Sequence, residues 1–137
     1  MHHWNDWNKQ VIEEFRAAGG IGAGQFEGRP LLLLHNVGAK TGTKRIAPLL
    51  YQDVEGGYAI FGSKGGSPTH PDWYYNLLAN PEVGVELGGE IIPARARVTE
   101  GAERERIWSR QKREYPFFAE YDEKTSREIP VIVLDTV

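Results

Sequence analysis

Apolar residues recur along the chain with two different periods. Near the N-terminus Trp4, Trp7, Val11 and Phe15 fall three or four apart, which predicts an amphipathic helix over residues 3–18. Gly19, Gly20, Gly22 and Gly24 then break it. The segment "GGIGAG" has the composition of a dinucleotide fingerprint, but it follows a helix and opens none, so it reads as a linker. "RPLLLLHNV" is a continuous apolar run, the mark of a strand buried on both faces. "RIAPLLYQD" and "YAIFGS" read as two more strands, joined by a hairpin turn at Glu55-Gly56-Gly57. "KGGSPTH" reads as loop. "PDWYYNLLAN" is a short helix with Pro71 at its first position and His70 as its cap. "EVGVEL" and "EIIPARARVT" form a hairpin across Gly88-Gly89, in which Pro93 marks an edge or a bulge. Thr99 is placed to cap a helix over 100–114, where Glu100 and Arg104 pair one turn apart. Ile107, Trp108, Gln111 and Tyr115 share one face of that helix, and "PVIVLD" closes the chain as a last strand.

The pattern gives five or six strands joined mostly by hairpins, with helices at the start, in the middle and near the end. A doubly wound parallel sheet would alternate strands with helices. The expected class is therefore α+β, mainly antiparallel β: a small barrel with flanking helices. The 137 residues suit one domain, with a helix and glycine-rich linker over 1–24 and the barrel over 29–137. No run of eighteen apolar residues or secretory leader is present, so the expectation is a cytoplasmic protein without a transmembrane segment. The absence of cysteine suits that compartment, and it excludes disulfides, thiolate metal sites and a Cys nucleophile.

Charge changes the picture at one place. The net charge is -3, yet "HNVGAKTGTKRIAPLLY" gathers Lys40, Lys44 and Arg45 on one glycine-rich turn with no acid. A solvated tip usually mixes signs. Here Thr41 and Thr43 add hydroxyl donors, and the glycines let backbone N–H groups approach a ligand. Such a turn can cradle an anion. It is not a P-loop, because the order of that motif is absent. "GSKGGSPTHPDW" repeats the chemistry with Ser63, Lys64, Gly65 and Gly66, and it feeds a helix N-terminus. Two donor-rich loops after adjacent strands could grip one extended phosphorylated ligand, with Ala47, Pro48, Leu49, Trp73 and Tyr74 as an apolar wall between them. Trp73 and Tyr74 fit a core role equally well. The histidines have no metal-binding spacing, so no metal is expected. Ser63 lacks the context of a hydrolase nucleophile. The aromatics of "EYPFFAEY" suit core packing or a lid over a flat ring.

Taken together, "GAKTGTKRIAPLLY", "SKGGSPTHPDWYYNLLANPEV" and "REIPVIVLD" resemble the deazaflavin-dependent nitroreductase family, which includes quinone reductases. The resemblance runs from about Leu31 to the C-terminus, and it keeps motif order and spacing. It implies a split β-barrel of the FMN-binding split-barrel kind and an oxidoreductase that uses reduced coenzyme F420. It implies that Lys40, Thr41 and Arg45 hold the phosphate-bearing tail and that Ala47, Pro48 and Leu49 lie under the ring. Ser63, Lys64, Gly65 and Gly66 would form the second coenzyme loop, with Trp73, Tyr74 and Asn76 on the helix that closes the pocket. Leu50, Tyr115, Phe118 and Tyr121 would form the substrate wall. Phe118 and Leu50 stand where nitroimidazole-activating relatives carry tyrosine, so the resemblance does not extend to that activity.

The implied reaction is hydride transfer to a quinone, a nitroaromatic or an activated enone, a small-molecule electron acceptor. The protein would position the ring and stabilise negative charge, with the hydroxyls of Ser63, Tyr115 and Tyr121 as catalytic donors. Three rivals stand beside it: an FMN-dependent enzyme of the same barrel, a non-catalytic cofactor carrier, and a nucleic-acid module. The last conflicts with the confinement of basic residues to one turn. The sequence leaves open monomer or homodimer, and whether the helix with Trp4 and Trp7 makes peripheral contact with the inner face of the plasma membrane.

Overall fold

The computed structural model describes residues 3–19 and 30–137. The described elements are α1 (His3–Ala17), β1 (Leu31–Val37), β2 (Lys44–Val54), β3 (Gly57–Phe61), α2 (Asp72–Ala79), β4 (Glu82–Leu87), β5 (Glu90–Val98), α3 (Gly101–Glu114), α4 (Pro116–Lys124) and β6 (Val131–Thr136). The strands close a barrel in the order β1-β2-β3-β6-β5-β4, and every pairing is antiparallel. The expected six-stranded antiparallel barrel with flanking helices is thus the fold.

The leucine run explains the layering. Strand side chains alternate, so Leu32 and Leu34 point into the barrel with Ile60, Val85, Ile132 and Leu134. Leu31 and Leu33 point outward and pack under Val11 and Phe15 of α1. All four leucines are buried, so β1 has no polar face to alternate with. On the opposite outer face Ala59, Phe61, Val131 and Val133 pack against Ile107 and Trp108 of α3 and Phe118 of α4. Burying a side chain of this size contributes roughly 1.5–3 kcal/mol, so both helical layers are firmly held.

Several expectations need correction. Thr99 does not cap α3: its hydroxyl donates to the Val131 carbonyl at 2.7 Å, and Glu100 occupies the cap position without a side-chain bond. Arg104 turns from Glu100 toward Glu105, Glu128 and the Ile129 carbonyl, just ahead of the last strand. Pro71 precedes the first helical residue of α2. "EYPFFAEY" carries a separate helix, α4, which starts at Pro116, where a missing N–H costs nothing. Lys64–Gly66 form a 3-10 turn within the expected loop. Pro93 sits opposite Gly84 on β4, one residue before β5 begins to pair with β6 at Ala94. It is not an edge: its carbonyl accepts the Val137 N–H at 3.2 Å, and its missing N–H falls where the β5–β6 ladder ends. The "GGIGAG" linker beyond Gly19 and the contacts of Trp4 and Trp7 lie outside the described residues.

Candidate active site

The first loop is the β1–β2 hairpin. Gly42 adopts φ +70°, a left-handed turn that other side chains rarely enter, and its N–H donates to the Gly38 carbonyl at 2.9 Å. Lys40, Thr41, Lys44 and Arg45 are exposed at this tip. None of its three cations meets a carboxylate among the described residues. The positive charge there is uncompensated. An open cleft of about 370 Å³ beside it is lined by Asn36, Lys44, Arg45, Glu82, Gly84 and Pro93.

β2 is 11 residues long and β3 only 5. β3 pairs with Tyr51–Val54, while 44–50 pair with β1 alone. Their other edge carries no strand among the described residues. The Tyr51 N–H donates to the Pro30 carbonyl, so alternation turns the backbone of Ile46, Pro48 and Leu50 toward this free edge. Pro48 fits there, because it lacks an N–H that a β1 bond would require. Ala47 and Leu49 pack with the barrel interior. Leu50 packs outward against both the α1 cluster and the aromatic cluster of α3 and α4.

The second loop follows β3. Ser63 is buried, and its hydroxyl has no hydrogen-bond partner among the described residues. Lys64 is the one non-glycine residue described with positive φ, +46°, and its ammonium reaches the Thr69 hydroxyl at 3.3 Å. Gly66 has φ +80°, and a Cβ there would lie 3.2 Å from the Tyr121 Cα and from the Lys124 side chain. The loop thus rests directly on α4, and the second loop and the aromatic segment form one structure. Tyr121 is half-buried, with its ring edge against Phe117 and Phe118. Phe118 is buried against Phe61 and Trp108. Tyr115 is half-buried beside Phe117, and the hydroxyls of Tyr115 and Tyr121 make no bond to another described residue.

α2 joins the two loops. Trp73 is buried in the barrel core, and Tyr74 is half-buried at its margin. Asn76 is buried with both ends of its amide engaged, to Ala39 N–H and to Asn36. It therefore faces the first loop's backbone and acts through it. His70 does not cap α2. Its Nδ1 lies 3.0 Å from the Arg127 guanidinium, and its ring lies tilted against Tyr74 with centroids 4.6 Å apart. Burial, and then the charge of Arg127, push the His70 imidazole below its ordinary value. Neutral His70 then accepts from Arg127.

Two polar groupings escaped the sequence reading. Arg127 reaches the second loop from the segment between α4 and β6, and only its place in "REIPVIVLD" hinted at a role. Glu86 is buried and accepts two bonds from Arg16, at 2.8 and 2.9 Å, and one from His35 Nε2 at 2.7 Å. The Arg16 bond holds its carboxyl down at about 2, with the His35 bond assisting against the cost of burial. This cluster locks the end of α1 onto β1 and β4. Among the described residues no group of three metal-ligating side chains exists.

A closed antiparallel barrel whose β2 leaves one edge free, with two donor-rich loops and an aromatic cluster beside it, is a split-barrel fold. Distant solved structures share this fold, including a pyridoxamine 5'-phosphate oxidase-like protein from Listeria innocua at 12% identity and TM-score 0.56. The chain belongs to the F420H(2)-dependent quinone reductase family, whose model matches residues 7–136. It is 38% identical over 108 residues to the F420H(2)-dependent quinone reductase Rv1261c of Mycobacterium tuberculosis, covering 77% of this chain and 72% of that one. It resembles the solved F420-H2 dependent reductase FDR-A at 46% identity and TM-score 0.71, over 78% of this chain and 95% of that one. A second solved relative, described as a domain-swapped dimer, is 40% identical with TM-score 0.73, over 96% and 98% of the two chains.

Proposed function

We propose that this chain binds reduced coenzyme F420 across its two donor loops and directs hydride transfer to a quinone. Family membership supports the activity. The observation that carries the site assignment is the uncompensated basic tip, held by Asn76 to the helix that issues from the second loop. Three cations without carboxylate partners suit a polyanionic tail, and the Ser63 hydroxyl, without a partner among the described residues and not sealed from solvent, suits a polar ring edge.

When bound, the coenzyme supplies a hydride, which with one proton reduces a quinone to a hydroquinone. Lys40, Thr41 and Arg45 would hold its phosphate-bearing tail through charge-assisted bonds. The free edge of β2 at Pro48 would lie along its ring, with Ala47 and Leu49 flanking it on the barrel side. Ser63, Lys64, Gly65 and Gly66 would face it from the other side, with Trp73 and Tyr74 backing the wall. Leu50, Tyr115, Phe118 and Tyr121 would shape the acceptor side and exclude water. The hydroxyls of Ser63, Tyr115 and Tyr121 are the donors available to an oxyanion forming on the acceptor. Nitroaromatics and activated enones are further acceptors within this reading.

The same reading takes residues 1–137 as one unit, with α1 held on the barrel by Phe15 and the Glu86 cluster. It keeps the chain cytoplasmic and takes a homodimer as its assembly, on the strength of the domain-swapped relative. Among the described residues no helix is long and apolar enough to cross a membrane. The test is a side-by-side binding titration with coenzyme F420 and FMN, followed by quinone reduction with reduced F420. Tighter binding of F420 with turnover is expected. Preference for FMN, or F420 binding without turnover on any quinone, would overturn it in favour of the FMN enzyme or the carrier.

A further inference from the structure

The geometry points to Arg127 as the residue that sets the second loop in its coenzyme-receiving shape, which makes it a positioning residue for the reaction read above. Its guanidinium spans three acceptors on that loop. Nε donates to the Ser67 carbonyl at 2.9 Å, Nη2 donates to the Ser63 carbonyl at 2.9 Å, and Nη1 lies 3.0 Å from His70 Nδ1. These partners lie about sixty residues away in sequence, so the clamp is purely tertiary. The backbone N–H of Arg127 also meets the Thr125 hydroxyl at 3.4 Å.

The loop needs such a clamp. Lys64 occupies a left-handed conformation at φ +46° that a non-glycine residue adopts only under constraint. The planar guanidinium fork fixes the direction of both carbonyls at once, which a point-like ammonium cannot do. With those carbonyls turned toward Arg127, the Ser63 hydroxyl is left unengaged on the loop. Charge adds a second effect. Arg16, Arg95, Arg97, Arg104 and Arg110 each meet a carboxylate. Arg127 is half-buried and meets none among the described residues. Its charge therefore stays uncompensated directly behind a loop assigned to an anionic ligand. A residue serving stability alone would gain from a carboxylate partner there.

The test compares wild type, Arg127→Ala and Arg127→Lys. Four quantities are measured: the Kd for coenzyme F420, the KM for the quinone at saturating coenzyme, the melting temperature, and amide exchange at Gly66 and Ser67. Arg127→Ala is expected to weaken coenzyme binding tenfold or more and to speed exchange at both amides. The quinone KM should stay within twofold. Arg127→Lys keeps the charge but not the fork, so its affinity should remain nearer that of the Ala variant than that of wild type. Added guanidinium ion should restore part of the Ala variant's affinity. A purely structural role predicts a lower melting temperature with unchanged coenzyme Kd, and that result would overturn the assignment. Full recovery of affinity in Arg127→Lys would also overturn it, since charge alone would then suffice. If Arg127→Ala does not fold, Arg127→Lys carries the same test. If wild type fails to bind coenzyme F420, the functional reading falls instead, and amide exchange still decides whether Arg127 holds the loop.

Discussion

Asn76 Oδ1 accepts the Ala39 N–H at 2.9 Å, while its amide nitrogen donates to Asn36 Oδ1 at 2.8 Å. One buried side chain on α2 thereby fixes the basic tip to the helix that follows the second loop. Asn36 passes the constraint on, donating to the Leu34 carbonyl at 3.2 Å within β1. Asn76→Ala would leave the buried Asn36 Oδ1 unpaired, at about 1–3 kcal/mol, and free the part-buried Ala39 N–H, which solvent can partly satisfy. Melting should fall by several degrees, and coenzyme affinity should fall about tenfold. Asn76→Asp keeps the Ala39 bond but sets a second acceptor against Asn36 Oδ1, so it should also be destabilised. Thermal melting and a coenzyme titration on both variants check this. Wild-type affinity in a folded Asn76→Ala protein would remove Asn76 from the site's scaffold.

The basic tip should separate binding from folding. Lys40 and Arg45 are exposed and make no ion pair among the described residues, so replacing both with Ala should barely move the melting temperature. Each charge-assisted bond to the tail is worth roughly 1.5–3 kcal/mol, or about tenfold or more in affinity. Rising salt should weaken coenzyme binding in wild type and much less in the double variant, because exposed charges are screened. Equal salt dependence in the two proteins would rule out a grip on the tail.

Glu86 gives the fold an acid-sensitive latch. Its carboxyl is held at about 2 in the folded chain against 4.5 ordinarily, chiefly by Arg16. A depressed carboxyl stabilises the fold fully above its unfolded value. That contribution drains away as pH falls from about 4.5 through about 2. At neutral pH it is worth about 2 kcal/mol, allowing for screening at the half-exposed Arg16. Glu86→Gln should therefore melt lower than wild type at pH 7, with the gap shrinking below about pH 4.5 and mostly closed by about pH 2. A constant gap across that range would show that packing, not ionisation, explains the loss.

Tyr121 tests the acceptor wall. Tyr121→Phe removes only a hydroxyl that meets no other described residue, so stability and coenzyme affinity should hold while quinone turnover drops. Tyr121→Ala also removes ring contacts with Phe117 and Phe118, and it should cost about 1–2 kcal/mol of stability at this half-buried position. Melting temperature, coenzyme affinity and turnover on the pair decide the role. Full turnover in Tyr121→Phe would reduce Tyr121 to a packing residue.

What the sequence determined by itself is local or periodic. The leucine run could only be a strand buried on both faces, and the spacing of Val11 and Phe15 could only bury one side of a helix. Hairpin glycines between apolar runs dictated antiparallel pairing, and with it the barrel. The basic tip was legible because charge of one sign is conspicuous on an acidic chain. Tertiary structure decided how these parts meet. Arg127 looked like an ordinary polar residue and Asn76 stood out only through the family resemblance, because each makes its bonds to partners 37–64 residues away. His70 stood where a helix cap is expected, and only the approach of Arg127 turned it to another partner. Thr99 and Arg104 were drawn from local partners to the backbone around β6 for the same reason. A side chain's local options are written in sequence, but a buried polar atom takes whichever partner the packed fold brings within reach, since leaving it unpaired costs more than abandoning a cap.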